Sequence, residues 1–393
     1  MRAQRTVHSY LDAYPVEVYA ARAAAGLRRV LVPRGPGHDL LDLASNDYLG
    51  LSGDERLIAG AVEAVRKWGP GSTGSRLVTG TTELHAELEA ELAEFTGAQT
   101  ALVFSSGYLA NLTVVTALVH ALGGPAGALI VSDARNHASL IDACRLSRAR
   151  VAVTPHRDVR AVRQALAERD EPAAVVVSDT VFSVDGALAP VGELHAAARS
   201  HGALLVLDEA HAFGVVGPGG RGVAAAAGIA AEPDLIRTIT LSKSLAGQGG
   251  AVLGAPEVTG TLVDTGRGFI FDTGLAPPCA GAALAALRVL AAEPDRGARA
   301  QASAARLAAI ATGLGWRTPA PGAAVLAVVL GDARRATAAR QSCARHGVRA
   351  GCFRPPSVPF GQACLRLTGR ANLTEADFAV AARALASVSD DGS

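Results

Sequence analysis

Polar and ionisable residues follow several short apolar segments of this 393-residue sequence, at the points where buried strands would end. Asp208 and His211 come after the apolar segment 203–207, and Lys243 comes after 238–241. Three further segments show the same pattern, with Ser105 to Tyr108 after 100–104, Asp133 and His137 after 128–131, and Asp179, Ser183 and Asp185 after 174–177. Ligands of open α/β sheets bind beyond the carboxyl ends of the strands, so these groups are expected to line one site.

The ionisable members of this set match the requirements of pyridoxal phosphate chemistry. Lys243 offers an amine that can hold the cofactor covalently, and Asp208 offers a carboxylate that can keep the pyridine nitrogen protonated. A protonated ring can accept the electrons of a substrate carbanion. His211 can donate to the ring hydroxyl, and either His137 or Tyr108 can cover one face of the ring.

The small residues that precede a predicted helix at 109–111 suit the phosphate of such a cofactor. Backbone N–H groups at the start of a helix are free to bind an anion. The predicted phosphate site therefore consists of the amides of Gly107 and Tyr108 with the hydroxyls of Thr240 and Ser242.

Lysine is rare in this chain, which makes the position of Lys243 informative. Lysine occurs only at Lys67 and Lys243, and all other basic side chains apart from histidine are arginine. Arginine replaces lysine readily on a solvated surface, but not where an amine must lose its proton and attack. Lys67 lies beside Trp68 in a helical pattern, whereas Lys243 follows a predicted strand.

The elements that must position these residues are predicted to form an α/β fold. The apolar segments from 100 to 253 are short and mostly continuous, which is typical of strands buried on both faces in a parallel sheet. Amphipathic patterns at 159–167 and 194–201 predict helices between them. The pattern favours a doubly wound domain with a mostly parallel sheet.

Three regions are predicted along the chain. Residues 1–45 form an N-terminal segment with a helix and a short strand, and residues 46–285 form the large cofactor-binding domain. Residues 286–393 form a smaller C-terminal α+β domain, in which 323–330 and 363–368 are strands.

Composition excludes several classes of protein. Hydrophobic residues make up 49% of the chain and charged residues 19%, which argues against disorder. The net charge of +1 argues against a nucleic-acid binder. The sequence shows neither an apolar run of the ~20 residues that a membrane helix needs nor a signal peptide at its N-terminus, so a soluble cytoplasmic protein is expected. Five scattered cysteines predict neither a disulfide framework nor a metal site.

Several segments together identify a family. They are 46–50 (NDYLG), 74–80 (GSRLVTG), 136–139 (NHAS), 208–214 (DEAHAFG), 240–243 (TLSK) and 354–359 (RPPSVP). With these motifs the chain resembles the α-oxoamine synthases, a branch of the fold-type-I pyridoxal phosphate enzymes, over nearly its whole length.

The resemblance implies a role for each matching residue at the cofactor. Lys243 would carry the cofactor, Asp208 would pair with the ring nitrogen, and His137 would stack on the ring. The ring oxygen and the phosphate would be bound by His211, Ser183, Gly107, Tyr108 and Thr240.

It also implies the substrate contacts and the assembly. Asn46 and Arg366 would bind the carboxylate of an amino acid, and Arg28 and Ser357 would face the acyl substrate. Family members are homodimers with the active site at the interface, so Thr273 would reach the phosphate of the neighbouring subunit. Asp272 departs from the neutral residue expected there, and its carboxylate would repel that phosphate.

Within the family, the pattern is most similar to members that condense L-alanine with a pimeloyl thioester of coenzyme A or a carrier protein. Ser75 is smaller than the threonine of 5-aminolevulinate synthases, which leaves room for the methyl group of alanine. Three alternatives stay open: acyl transfer to glycine or serine in the same family, an aminotransferase, and a non-catalytic partner subunit.

Overall fold

The structure is a computed structural model that describes residues 16–36 and 40–388. The part of the chain so described contains helices α1 to α14, which are Val16–Ala24, Glu55–Trp68, Glu83–Thr96, Gly107–Ala121, Ala138–Ser147, Val159–Ala167, Val191–Ser200, Val223–Ala226, Pro256–Thr265, Arg267–Ile270, Pro277–Ala292, Arg296–Gly313, Ala333–Arg345 and Glu375–Ala386. It also contains strands β1 to β12, which are Leu41–Asp42, Thr100–Phe104, Ala128–Asp133, Arg150–Thr154, Ala173–Asp179, Leu204–Asp208, Leu235–Thr240, Gly250–Gly254, Val325–Gly331, Val348–Arg349, Gly351–Phe353 and Ala363–Thr368.

The central sheet has seven strands in the order β2-β8-β7-β6-β5-β3-β4. The strands from β7 to β4 all run parallel. Strand β8 runs antiparallel to both of its neighbours, β2 and β7. The predicted mostly parallel α/β sheet is therefore confirmed, with one strand reversed.

Helices bury both faces of this sheet. Successive residues of β5 enter different cores, because side chains alternate across a strand. Val175 and Val177 pack with residues of α4 and α5, whereas Ala174 and Val176 pack with residues of α6 and α7. Burial on both faces explains why the sequence of β5 is continuously apolar.

Two strands differ from the sequence prediction. Strand β4 was not predicted, because it lies at the sheet edge and Arg150 and Val153 are exposed there. Strand β7 begins at Leu235 and not at 238. A buried arginine, Arg237, interrupts its apolar pattern and lies 3.5 Å from the carboxylate of Glu209.

The C-terminal region has its own sheet and core. Strands β11, β12 and β9 form a three-stranded antiparallel sheet, and the predicted strands at 323–330 and 363–368 correspond to β9 and β12. Strand β1 pairs in parallel with β10, and Leu43 packs in the C-terminal core, so the N-terminal segment joins this region.

The three-region division at residues 45 and 285 stays a prediction, and its second boundary falls inside α11. The predicted N-terminal helix is described only from Val16 to Ala24, and residues 1–15 lie outside the described part.

Candidate active site

The parallel strands bring the predicted catalytic residues to one edge of the sheet. Asp179 ends β5 and Asp208 ends β6, and the two residues are paired in register. His211 lies in the turn after β6, and Lys243 lies in the turn after β7. Asp208 and Lys243 are 35 positions apart in the chain, but both side chains lie in one site because β6 and β7 are neighbours.

Lys243 contacts His211 inside this site. Its Nζ lies 2.8 Å from His211 Nε2, and His211 Nδ1 lies 2.5 Å from the hydroxyl of Tyr48. Burial lowers the pKa of Lys243 to about 8, although Asp208 acts in the opposite direction. Burial and the nearby Lys243 also hold the pKa of His211 well below its usual value. The amine is therefore much easier to deprotonate than that of an exposed lysine.

Arg366 joins the other end of this hydrogen-bond chain. Its Nη1 donates to Asn46 Oδ1 at 2.6 Å, and its Nη2 donates to the Tyr48 hydroxyl at 3.1 Å. The Nε atom donates to the backbone carbonyl of Ser183 at 3.1 Å. Arg366 is only 2% exposed, so a fixed fork of guanidinium donors lies at the site, suited to a carboxylate.

Two donors hold Asp208. Asn111 Nδ2 donates to Asp208 Oδ2 at 2.7 Å, and the backbone amide of Ala210 donates to Oδ1 at 2.8 Å. Asp208 is thus oriented as an acceptor, as a partner for a protonated ring nitrogen must be.

His137 lies at the start of α5 and is held by its backbone and its ring. Its amide donates to Asp179 Oδ2 at 2.6 Å, and its Nδ1 lies 2.7 Å from the Ser139 hydroxyl. Burial lowers the pKa of His137. Burial and the neighbouring Asp208 hold the pKa of Asp179 well above its usual value.

At the predicted phosphate site, the backbone of Gly107 lies close to the end of β7 and the start of β8. A Cβ atom on Gly107 would lie 3.2 Å from Thr240 Cβ, and one on Gly250 would lie 2.5 Å from Gly107 Cα. The amide of Ser242 donates to Thr240 Oγ1 at 3.2 Å. The amino terminus of α4 therefore lies directly beside the end of β7, with small residues on both sides.

Tyr108 lies at the surface of the site. It is half-exposed, and its hydroxyl donates to Asp142 Oδ2 at 2.5 Å. This hydrogen bond raises the pKa of Tyr108. The Tyr108 hydroxyl is therefore bound to a residue of α5, and it is the backbone amide of Tyr108, at the start of α4, that can bind an anion.

Two of the remaining cofactor and substrate candidates contact each other, and a third contacts an arginine. Ser75 and Thr273 form an antiparallel bridge with each other. Beside them, Asp272 accepts a hydrogen bond from Ser105 at the approach to α4. Farther along the chain, the Ser357 hydroxyl accepts from Arg29 Nη2 at 3.1 Å.

Arg28 lies in a surface cavity of about 280 Å³ between the segment after α1 and α13. Arg334, Thr337, Gln341 and Arg354 line the same cavity. Arg354 Nη2 donates to the backbone carbonyl of Arg28 at 3.3 Å. The predicted acyl-facing residues thus lie in an arginine-rich part of the surface.

Sequence reasoning assigned no role to three side chains that the structure places among these residues. Tyr48 connects Arg366 with His211, Asn111 binds Asp208, and Asp179 binds the His137 amide. Asp179 was expected to line the site because it follows an apolar segment as Asp208 does, but it was given no specific role. Asn111 and Tyr48 gave no such signal, since their partners are distant in sequence.

These residues fit pyridoxal phosphate. The cofactor needs a deprotonatable lysine, an ionised carboxylate, a flat neighbour and an anion cradle, which Lys243, Asp208, His137 and Gly107 can supply. Helix α4 can approach β8 this closely because Gly250 lacks a Cβ, which would lie 2.5 Å from Gly107 Cα.

Comparison with known proteins places the chain in a family. A family model described as aminotransferase class I and II matches residues 38–385. The chain belongs to this family. An 8-amino-7-oxononanoate synthase of Mycobacterium sp. (strain JLS) is 58% identical over 373 residues, covering 95% of each chain.

Solved structures of the aminotransferase family agree in fold. A serine palmitoyltransferase variant from S. paucimobilis, solved with PLP and myriocin bound, has a TM-score of 0.87 at 30% identity and covers 98% of each chain. An 8-amino-7-oxononanoate synthase from Francisella tularensis has a TM-score of 0.74 at 26% identity, covering 89% of this chain and 98% of its own.

The predicted α-oxoamine synthase resemblance and the fold-type-I architecture are thereby confirmed, and the protein is a pyridoxal phosphate-dependent acyltransferase. Within residues 16–36 and 40–388, no helix combines the length and apolar character needed to cross a bilayer.

Proposed function

We propose that the protein condenses L-alanine with a pimeloyl thioester and releases carbon dioxide and the free thiol, giving 8-amino-7-oxononanoate for biotin biosynthesis. One arrangement carries the proposal: the Lys243 amine and the Arg366 fork lie at opposite ends of one hydrogen-bond chain through His211 and Tyr48. A base and a carboxylate binder are thus held in one site. The relative that is 58% identical bears the name of this activity.

The chain's residues have distinct roles in this reaction. Arg366 and Asn46 bind the alanine carboxylate, and Lys243, neutral above a pKa of about 8, removes the Cα proton. When bound, pyridoxal phosphate would supply an electron sink for this step, and Asp208 would accept the hydrogen bond of its ring nitrogen. His137 would cover the ring.

Bond changes then follow at the substrate. The Cα of alanine forms a bond with the thioester carbonyl carbon, and the C–S bond breaks to release the thiol. The bond from Cα to the carboxylate breaks next, carbon dioxide leaves, and a proton returns to Cα. Arg28 and Ser357 face the acyl chain, and Ser75 leaves room for the alanine methyl group.

We also propose that two chains form a homodimer with Thr273 directed to the partner's phosphate site. Exposed apolar side chains support this, because Leu77, Val78 and Phe271 are 52%, 77% and 69% exposed beside the Ser75–Thr273 bridge. Large apolar side chains clustered at the surface are typical of interfaces. A cytoplasmic location is proposed as well, because all five cysteines are free thiols, as is usual in reducing compartments.

The test is the mass of the product formed from L-alanine and pimeloyl thioester, with coenzyme A and an acyl carrier protein compared as carriers. The expected product is 8-amino-7-oxononanoate, formed by Lys67→Ala and not by Lys243→Ala. Absence of this product with both carriers would reject the proposal.

Acyl transfer to serine is a second candidate, because the serine palmitoyltransferase variant has a TM-score of 0.87 against the chain. Amino acid selectivity separates the two reactions. Exchange of the Cα hydrogen with D2O should be fastest for alanine. Faster exchange for serine would favour the second candidate.

A further inference from the structure

A hydrogen-bond chain connects the two residues predicted to hold the cofactor ring, and two of its buried members, Asn111 and Thr238, lie outside the motifs that identify the family. Thr238 Oγ1 donates to Asn111 Oδ1 at 2.7 Å. The amide nitrogen of Asn111 donates to Asp208 Oδ2 at 2.7 Å and to the Ser139 hydroxyl at 2.9 Å. Ser139 in turn contacts His137 Nδ1 at 2.7 Å.

The chemistry of these groups sets the direction of each hydrogen bond. An ionised carboxylate only accepts, so the amide nitrogen of Asn111, and not its oxygen, faces Asp208. The second amide hydrogen then goes to the Ser139 oxygen. Ser139 uses its own hydrogen for His137 Nδ1.

A second contact decides the state of the His137 ring independently. The backbone amide of Ser139 lies 3.2 Å from His137 Nδ1 and can only donate. Nδ1 therefore carries a lone pair that accepts from two donors. A neutral imidazole with an accepting Nδ1 has its proton on Nε2.

We propose that Asn111 and Ser139 are positioning residues that hold His137 as the neutral tautomer with its proton on Nε2 and, through the same amide, hold Asp208 as a hydrogen-bond acceptor. His137 can then donate a hydrogen bond toward the site from Nε2. It cannot take up a proton at Nδ1 without losing both donors, which leaves Lys243 as the base. This inference rests on the proposed roles of His137 and Asp208 at the cofactor.

The charged groups around His137 are compatible with this assignment. Asp208 and Asp142 favour the protonated ring, Lys243 opposes it, and burial opposes it most strongly. His211 also lies close enough to interact electrostatically with His137. The Asp179 carboxylate is bound to the backbone amide of His137 and not to its ring.

The first experiment observes His137 by long-range ¹H–¹⁵N NMR of protein labelled at histidine, without and with pyridoxal phosphate. Its signals are assigned by their loss in His137→Asn. The expected pattern at pH 7 is an unprotonated Nδ1 and a protonated Nε2. In Ser139→Ala, the pKa of His137 should rise by about one pH unit, because the neutral ring loses one hydrogen bond.

Ser147→Ala is the matched control. Ser147 is a buried serine on the same helix, and its hydroxyl donates to the Cys144 carbonyl. This variant should leave the tautomer and the pKa of His137 unchanged. Asn111→Ala provides a second readout, because Asp208 loses a charge-assisted donor. Its dissociation constant for pyridoxal phosphate should rise about ten- to a hundredfold.

Several results would overturn the inference: a protonated Nδ1 in the wild-type protein, an unchanged His137 pKa in folded Ser139→Ala, or unchanged cofactor affinity in folded Asn111→Ala. The product assay separates this failure from that of the proposed function. A wild-type protein that forms 8-amino-7-oxononanoate with a protonated Nδ1 rejects only the inference. The expected tautomer without product rejects only the proposed function.

Discussion

At the residue scale, the lowered pKa of Lys243 comes from burial of its amine, whose hydrogen-bond partner is a histidine and not a carboxylate. Its amine contacts a histidine, His211, that is itself held neutral by burial. Asp208 and Asp179 favour the charged amine, and Arg366 opposes it. The effect of burial on the pKa of Lys243 is larger than that of the carboxylates, so its pKa is lowered to about 8. The other lysine, Lys67, is exposed.

The pH dependence of cofactor attachment should report this environment. Only the neutral amine attacks an aldehyde, and the neutral fraction of Lys243 rises with pH around its pKa of about 8. The rate at which pyridoxal phosphate attaches to the cofactor-free protein should therefore increase with pH, reach half of its maximum near pH 8 and level off above it. The measurement is the growth of visible absorbance after mixing at a series of pH values. A midpoint near that of free lysine, ~10.4, would contradict the assigned environment.

At the element scale, the cofactor site depends on helices and strands meeting where side chains are smallest. The amino terminus of α4 approaches β7 and β8 at Gly107 and Gly250. Strand β7 also carries Arg237, which forms a buried ion pair with Glu209, the residue directly after β6 and Asp208. The geometry of the site is thus set by contacts between elements as much as by the catalytic side chains.

Gly107→Ala should weaken cofactor binding without unfolding the protein. The new Cβ would lie 3.2 Å from Thr240 Cβ, which forces a small displacement of the predicted phosphate cradle. The dissociation constant for pyridoxal phosphate, measured by fluorescence titration, should rise.

Gly192→Ala is its control, because Gly192 also lies in the first turn of a helix and its Cβ would meet open space. That variant should bind the cofactor normally, and its helix should be stabilised by roughly 0.5–1 kcal/mol. Equal affinities for both variants would show that the cradle does not depend on Gly107.

Glu209→Gln should destabilise the protein strongly. Both members of the ion pair are buried, with Arg237 1% exposed and Glu209 0% exposed. Burial raises the pKa of Glu209 and lowers that of Arg237, so each charge depends on the other. Removing one charge leaves the other uncompensated, at a cost of about 3–5 kcal/mol.

Urea unfolding followed by circular dichroism measures this cost. The double variant Glu209→Met with Arg237→Met should lose less stability than Glu209→Gln, because no charge remains buried. A Glu209→Gln protein with the wild-type midpoint would show that Arg237 is stabilised by its carbonyl contacts to Thr96 and Ala230 alone.

At the scale of the whole molecule, the segment after β1, the C-terminal sheet and the large sheet jointly form the candidate site. Asn46 follows β1, Arg366 lies on β12, and Lys243 follows β7. The hydrogen bonds of Arg366 to Asn46 and Tyr48 connect these regions. Exposed apolar residues beside the Ser75–Thr273 bridge form the proposed contact surface for a second chain.

Leu77→Asp should shift the protein from dimer to monomer and reduce cofactor affinity. A carboxylate at this position would be buried unpaired in the proposed interface, which is unfavourable. Light scattering after size-exclusion chromatography measures the mass. The control is Val153→Asp on β4, an exposed residue at the opposite edge of the central sheet from β2. An unchanged dimer in Leu77→Asp would place the interface elsewhere.

The sequence by itself determined the chemistry of the candidate site. Lys243, Asp208, His211 and His137 each follow an apolar segment that forms a strand, and local order along the chain is enough to predict this. Burial on both faces made β3, β5 and β6 recognisable, whereas the half-exposed β4 and the charged Arg237 in β7 obscured their strands.

Only the tertiary structure decided how these groups are held and charged. The contacts of Asn111 with Asp208 and of Tyr48 with Arg366 and His211 join residues 97 to 318 positions apart in the chain. No local pattern encodes such distances. The lowered pKa of Lys243 arises from burial, which depends on every neighbouring element in space. The local contact of His137 with Ser139 is fixed in turn by Asn111, which lies 28 positions away from Ser139 in the chain.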